Sequence, residues 1–276
     1  MNNTRMSTAQ KILLIIGTVA AIIFILYGVP RIGTMLEPKL GFNPKVWLWL
    51  LCAFVLFVIG RAQGGGEYNK LNKEFRSLDR ELIHQHRIDY YIIQNKRLYK
   101  ETKDPRYRAI CLSNIAMGYH HDGKYDQADN VISKINFDDL NEGQRVTLYN
   151  QQFMDAIYGR HFDRAGEIYE THKTIFTEYE GRKEYHNHYL CCRLYYELCT
   201  TKKGDKEALA KIREEFNTIK VSQKAYPKAY NYRLLEGRLL MAEGERQEGK
   251  ENLQLLLKEY LMPGFKREVT WVIKNA

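Results

Sequence analysis

The sequence predicts an all-α chain in two parts: an N-terminal two-helix transmembrane hairpin, then an α-solenoid of stacked helical hairpins. Three observations predict it. Two long runs free of charge fall within the first 60 residues. Beyond them, apolar residues recur at three-and-four spacing, the period of one helix face. From residue 109 onward, a set of small and aromatic landmarks returns about every 40 residues.

Residues 12–29, ILLIIGTVAAIIFILYGV, carry no charge and are flanked by Lys11 and Arg31. A helix of that length at about 1.5 Å per residue spans about 27 Å, close to the hydrocarbon thickness of a bilayer. Residues 46–60, VWLWLLCAFVLFVIG, are short for a span but strongly apolar. Trp47 and Trp49 suit the interface, and Lys45 and Arg61 can snorkel to head groups. A cleaved signal peptide fits the first run less well, because Tyr27-Gly28-Val29-Pro30 is not a small-x-small cleavage site. The second run has a buried core helix as its alternative. The loop between the runs holds Arg31, Lys39 and Lys45. The other side holds Arg5 and Lys11, then Arg61, Lys70, Lys73, Arg76 and Arg80. That asymmetry predicts an integral membrane protein with a tail over 1–11, a hairpin over 12–60 and both termini in the cytoplasm. Five cysteines, an odd number with no CxxC pair, fit reduced thiols in the same compartment.

Residues 61–66 read RAQGGG, a glycine hinge. The next segment, 67–108, predicts a basic juxtamembrane helix. Tyr68, Leu71, Phe75, Leu78 and Leu82 mark its first apolar stripe, which then shifts to Ile88, Tyr91, Ile92, Leu98 and Tyr99. Packing on the next repeat is expected, because the heptad run is short for a coiled coil; the alternative is a homodimer through 67–100. Residues 61–108 carry 12 basic and 7 acidic groups, a net +5, against 9 and 14 over 109–199 and 16 and 11 over 200–276. Arg61, Lys70, Lys73, Arg76 and Arg80 are therefore expected to face anionic lipid. No nucleic-acid motif accompanies the basic charge, so nucleic acid is not expected as a partner.

Over 109–135 the chain reads AICLSNIAMGYHHDGKYDQADNVISKI. A helix with Leu112, Ile115, Ala116 and Tyr119 runs into Asp122-Gly123, and a second carries Tyr125, Ala128, Ile132 and Ile135. The segment resembles a tetratricopeptide repeat. The family's landmarks fall in order on Ile115, Ala116, Tyr119, Gly123, Tyr125 and Ala128. Phe162 and Ala165 repeat the pattern, then Gly204 and Ala208, then Gly237, Gly244 and Gly249. The spacings Ala128–Ala165–Ala208–Gly249 are 37, 43 and 41 residues, longer than the family's 34. The resemblance implies a repeat domain over 109–276, with 264–276 as a C-terminal capping helix whose Phe265, Val269, Trp271 and Val272 face inward.

No catalytic residues, metal or cofactor are expected. His120 and His121 are adjacent, and His84/His86 and His186/His188 are two apart, so neither spacing puts two ligands on one helix face. Cys191 and Cys192 have no activating base beside them in sequence. No GxSxG, HExxH or phosphate-binding glycine loop is present.

The resemblance also implies a concave groove lined by the first helix of each repeat. Its candidate residues are Ser113, Met117, His120 and His121, then Asn150, Met154, Ile157 and Tyr158. Arg193, Glu197 and Thr200 follow in the third unit, and Leu234, Arg238 and Met241 in the fourth. A carboxylate clamp is not carried over, because Asn114 and Asn150 echo it without its lysines. The expectation is a membrane-anchored scaffold or adaptor that holds a protein, as a peptide or helix, in this groove. The alternatives are a structural subunit of a membrane complex and a sensor of a peptide signal.

Overall fold

The computed structural model describes residues 70–275. The two apolar runs, the hinge and Arg61 lie outside them. The chain divides into two units between Arg76 and Ser77, and all that follows on packing concerns the second. Among the described residues the regular structure is helical, with no strand. No described helix is long and apolar enough to cross a membrane.

Among the described residues eleven α-helices follow one another. Helix α1 runs through 70–85. It is followed by α2 (Ile88–Glu101), α3 (Pro105–Asp122), α4 (Tyr125–Ile132), α5 (Glu142–Tyr158) and α6 (Phe162–Gly181). Then come α7 (His186–Thr200), α8 (Lys206–Phe216), α9 (Tyr230–Glu243), α10 (Arg246–Leu257) and α11 (Pro263–Asn275). Neighbours in sequence pack as hairpins, with α3/α4, α5/α6, α7/α8 and α9/α10 as the four units.

The single helix expected over 67–108 is two helices and the start of a third. The chain turns at His86, which adopts φ 50°, where the apolar stripe changes face. It turns again before Pro105, whose ring disfavours helical geometry in the preceding residue. Asp104 then caps α3, accepting from the backbone N–H of Arg106 and Tyr107. Helix α2 packs on α3 across Gly118, where an added Cβ would lie 2.5 Å from Ile92. Asn95, fully buried, accepts from Asn114 across that seam at 2.9 Å.

The turn landmarks fall as the sequence places them. Gly123 ends α3 at φ 73°, a left-handed conformation that costs a side-chain-bearing residue. Ile115, Ala116, Ala128 and Ala165 are buried in the hairpin seams. In the last unit an added Cβ at Gly249 would lie 2.5 Å from the Gly237 carbonyl, so only glycine lets α9 and α10 approach this closely. The extra length per unit is also visible. Helix α6 has 20 residues where α4 has 8, and short 3-10 turns at Phe137–Asp139 and Tyr226–Lys228 join units.

Helix α11 packs on two separate parts of the domain. Val269 and Val272 pack into the core of the last units. Its N-terminal turn reaches the first hairpin. Gly264 sits so close to it that an added Cβ would lie 2.6 Å from the His120 carbonyl. Tyr125 Oη donates to the Gly264 carbonyl at 3.2 Å, and Arg267 donates to the Gly123 carbonyl at 2.9 Å. A guanidinium on the last carbonyls of α3 meets the negative end of that helix. Hairpins nearly 140 residues apart in sequence are thus joined.

Candidate functional site

Helices α3, α5, α7 and α9 present their inner faces to one another, and α11 lies across part of that surface. What remains open is a cavity of about 600 Å³. Helix α5 supplies its floor through Thr147, Asn150, Gln151, Met154 and Tyr158, one face at three-and-four spacing. Helix α3 adds Met117, His120 and His121, and α7 adds His188 and Cys192. The end of α1 and the segment before α11 form the rim, where His86 stacks on Tyr260 at 3.9 Å. An adjoining cavity of about 700 Å³ shares Met117, His121, Asn150 and His188 with the first and extends to Ser113.

Five of the eight histidines line the first cavity. His120 Nδ1 lies 2.6 Å from Asp155 Oδ1, and Asp155 is 3% exposed. The carboxylate holds the proton on Nδ1, which leaves Nε2 with the lone pair in the neutral ring. Burial raises the Asp155 carboxyl above its ordinary value, and His120 partly offsets that. The His120 ring stacks on Tyr158 at 6.1 Å and meets Tyr125 edge-on. Burial, with repulsion from His120 and His86, lowers the His121 ring to about 3, so it is neutral at pH 7. His188 is also lowered by burial. Asn150 Nδ2 donates to its Nε2 at 3.1 Å, which puts the ring proton on Nδ1. Burial pushes the Cys192 thiol up to about 12, so it is protonated at neutral pH. Gln151 Nε2 lies 3.5 Å from Asp155 Oδ2, while Gln151 Oε1 is buried without a hydrogen-bond partner.

The cavity gathers six of the eight candidates of the first two units, Met117, His120, His121, Asn150, Met154 and Tyr158; Ser113 lies in the adjoining cavity and Ile157 is buried in the core. It does not gather those of the last two. Arg193 and Glu197 pair with each other at 2.8 Å, and Arg193 also holds Glu180 of α6 and Glu215 of α8 at 2.9 and 2.5 Å. They belong to the seam between helices, because the inner face of α7 is the His188–Cys192–Tyr195 row, one residue out of register with the expected one. Arg238 does lie on the inner face of α9, but α11 covers it. Its guanidinium donates to Tyr195 Oη at 3.0 Å and sits over Tyr195 and Trp271. Met241 packs on Gly249 of α10, inside its own hairpin. Lys70, Lys73, Arg76 and Arg80 are exposed along α1.

Gln151, Asp155, His188 and the Tyr260 rim were not legible as site residues. Asp155 carried a signal, a lone carboxylate inside the apolar run FMDAIY. His188 and Tyr260 carried none, since their place depends on how distant units pack.

Beneath α11, Arg160 Nη1 and Nη2 donate to Glu268 at 3.0 and 2.5 Å. Tyr195 also donates to Glu268, whose side chain is 1% exposed. Arg160 takes a left-handed φ of 68° and its guanidinium lies 3.6 Å over the Trp271 ring. Among the described residues, no three His, Cys, Asp or Glu groups come together as a metal site. No family model, no curated protein and no solved structure matches the chain.

Proposed function

We propose that the chain is a membrane-anchored scaffold whose helical hairpins, of tetratricopeptide type, hold a segment of a partner protein in the inner-face cavity. The observation that carries this reading is the convergence of Met117, His120, His121, Asn150, Met154 and Tyr158 from two successive hairpins on one cavity of about 600 Å³. That volume is in the range of sites that enclose a compact ligand, roughly 300–1,000 Å³, and a mixed aromatic, methionine and imidazole lining suits an adaptable peptide contact. The anchor rests on the apolar runs 12–29 and 46–60, and the cytoplasmic side on the excess of lysine and arginine around them. A tether would raise the effective concentration of the partner near the bilayer.

The cover formed by α11 favours a short segment over a long one, because the far inner face at Tyr195 and Arg238 is occupied. It also lends support to the second reading, a sensor of a short peptide. Crosslinking of the full-length chain in its native membranes, against His121→Ala/Tyr158→Ala, tests the proposal. A partner captured by the native chain and lost from the variant supports it. Identical capture by both rejects the cavity as the seat.

A further inference from the structure

Helix α2 buries one side and leaves a mixed one in water. Ile88, Tyr91, Ile92, Asn95 and Leu98 pack inward. On the other side Tyr90 and Ile93, one turn apart, are 45% and 60% exposed. An isolated exposed apolar side chain carries no information. Here two of them stand beside a run of cations. Lys96, Arg97 and Lys100 follow along the helix, and Lys103 and Arg106 come just beyond it, all exposed. The acids within that run are taken. Glu101 pairs with Arg97 at 3.0 Å, and Asp104 caps α3. Lys100, Lys103 and Arg106 form no ion pair among the described residues.

A second copy of the chain and a bilayer surface are the two occupants to weigh, and the observations favour the bilayer. Copies meeting through this face about a two-fold axis would set its cations against the same cations of the other copy. Two apolar side chains also bury far less than the roughly 800 Å² per partner of a stable protein interface. A lipid surface asks for less. Tyrosine and isoleucine seat among head groups, while lysine and arginine reach anionic phosphates. The tether is short as well. Only 27 residues separate Gly60, the end of the second apolar run, from Ile88. Part of that stretch is coiled into α1, so α2 stays within reach of an anchoring bilayer.

We propose that the solvent face of α2, Tyr90 and Ile93 with Lys100, Lys103 and Arg106 beyond them, docks on the anionic head-group surface of the bilayer. This rests on the membrane anchor of the reading above and not on the cavity.

The test places the full-length chain in nanodiscs, one chain per disc, with ¹³C at its isoleucine, leucine and methionine methyls. The discs carry a lipid with gadolinium at its head group and are made of phosphatidylcholine alone or mixed with phosphatidylserine. In the mixed discs the Ile93 methyl is expected to relax several-fold faster than those of Leu255, which is 52% exposed on α10. In neutral discs that difference is expected to vanish. The same holds at about 1 M salt, where the Debye length falls to about 3 Å. Lys100→Glu/Lys103→Glu/Arg106→Glu is expected to abolish it too, while the Met117 and Met154 methyls of the cavity report that the variant is folded. Equal relaxation of Ile93 and Leu255 in the mixed discs would overturn the proposal, as would an Ile93 signal indifferent to lipid charge. A change at Ile93 that appears only when discs hold two chains assigns the face to a second copy and also overturns it. If the chain does not enter the discs, the anchor falls and this proposal with it. If it enters and Ile93 stays silent, only this proposal falls.

Discussion

The near and far halves of the inner face are built from the same kind of helix, yet they end in different states. In the near half, Met154 and Tyr158 of α5 line an open cavity together with His120 of α3. In the far half, Tyr195 of α7 and Arg238 of α9 occupy the corresponding rows, but Glu268 of α11 fills the space between them and Arg160. The difference does not lie in the hairpins. It comes from one C-terminal helix whose buried carboxylate accepts from Arg160 and Tyr195, with Arg238 donating to the same tyrosine, and whose first turn holds a glycine that abuts Gly123. A repeat face is a groove only where nothing folds onto it.

The largest expected effect comes from breaking the far half. Glu268→Ala leaves Arg160 and Tyr195 without their acceptor and is expected to cost about 3 kcal/mol, measured by chemical denaturation. Hydrogen exchange should show α11 losing protection first. Gly264→Val tests the junction of the two halves. Its side chain would meet backbone atoms of α3 and the following turn, and about 2 kcal/mol of destabilisation is expected.

Acid should act on the near half. His121 is held at about 3 in the folded chain, against roughly 6.5 when unfolded. The unfolded chain therefore binds a proton that the folded chain refuses. The stability is fully present above about pH 6.5 and is lost as pH falls toward 3. From pH 7 to pH 5 this ring alone is expected to cost roughly 2 kcal/mol. His188 and His86, lowered by burial, act with the same sign. Asp155, raised by burial, opposes them, because its folded form takes up a proton first as pH falls. Denaturation midpoints at the two pH values check the sum, and His121→Asn should flatten the slope.

The smallest expected change lies away from both halves. Asn141 and Gln144 form a capping box at the start of α5, the helix that carries the cavity floor. Asn141→Ala should cost about 1 kcal/mol and leave the cavity methyl signals in place.

Much of the hairpin architecture was legible in the sequence, because it is written in local terms. Gly123, Ala128, Ala165 and Gly249 mark turns and close seams between helices adjacent in sequence. The shift of stripe at Ile88 also marked a corner, though the segment read as one helix. The near half of the site was legible because α3 and α5 begin with clear caps that fix their register. In α7 no cap is present, and Tyr185 leads into the helix without a side-chain hydrogen bond. A one-residue slip there turned Arg193 inward and His188 out of view. The cover by α11 was not legible at all. It depends on a contact between Glu268 and Arg160, 108 residues apart, and no local pattern encodes that.

The measurement that tests the comparison most directly places one photoreactive phenylalanine analogue at Met117, in the cavity, or at Lys274, on the exposed end of α11. Both full-length proteins are irradiated in native membranes. If the near half is the receptor, the same partner adduct forms at Met117, is suppressed in the Tyr158→Ala background and is absent at Lys274. An adduct that forms at Lys274 and not at Met117 would contradict it, and would put the working surface on the outside of the cover.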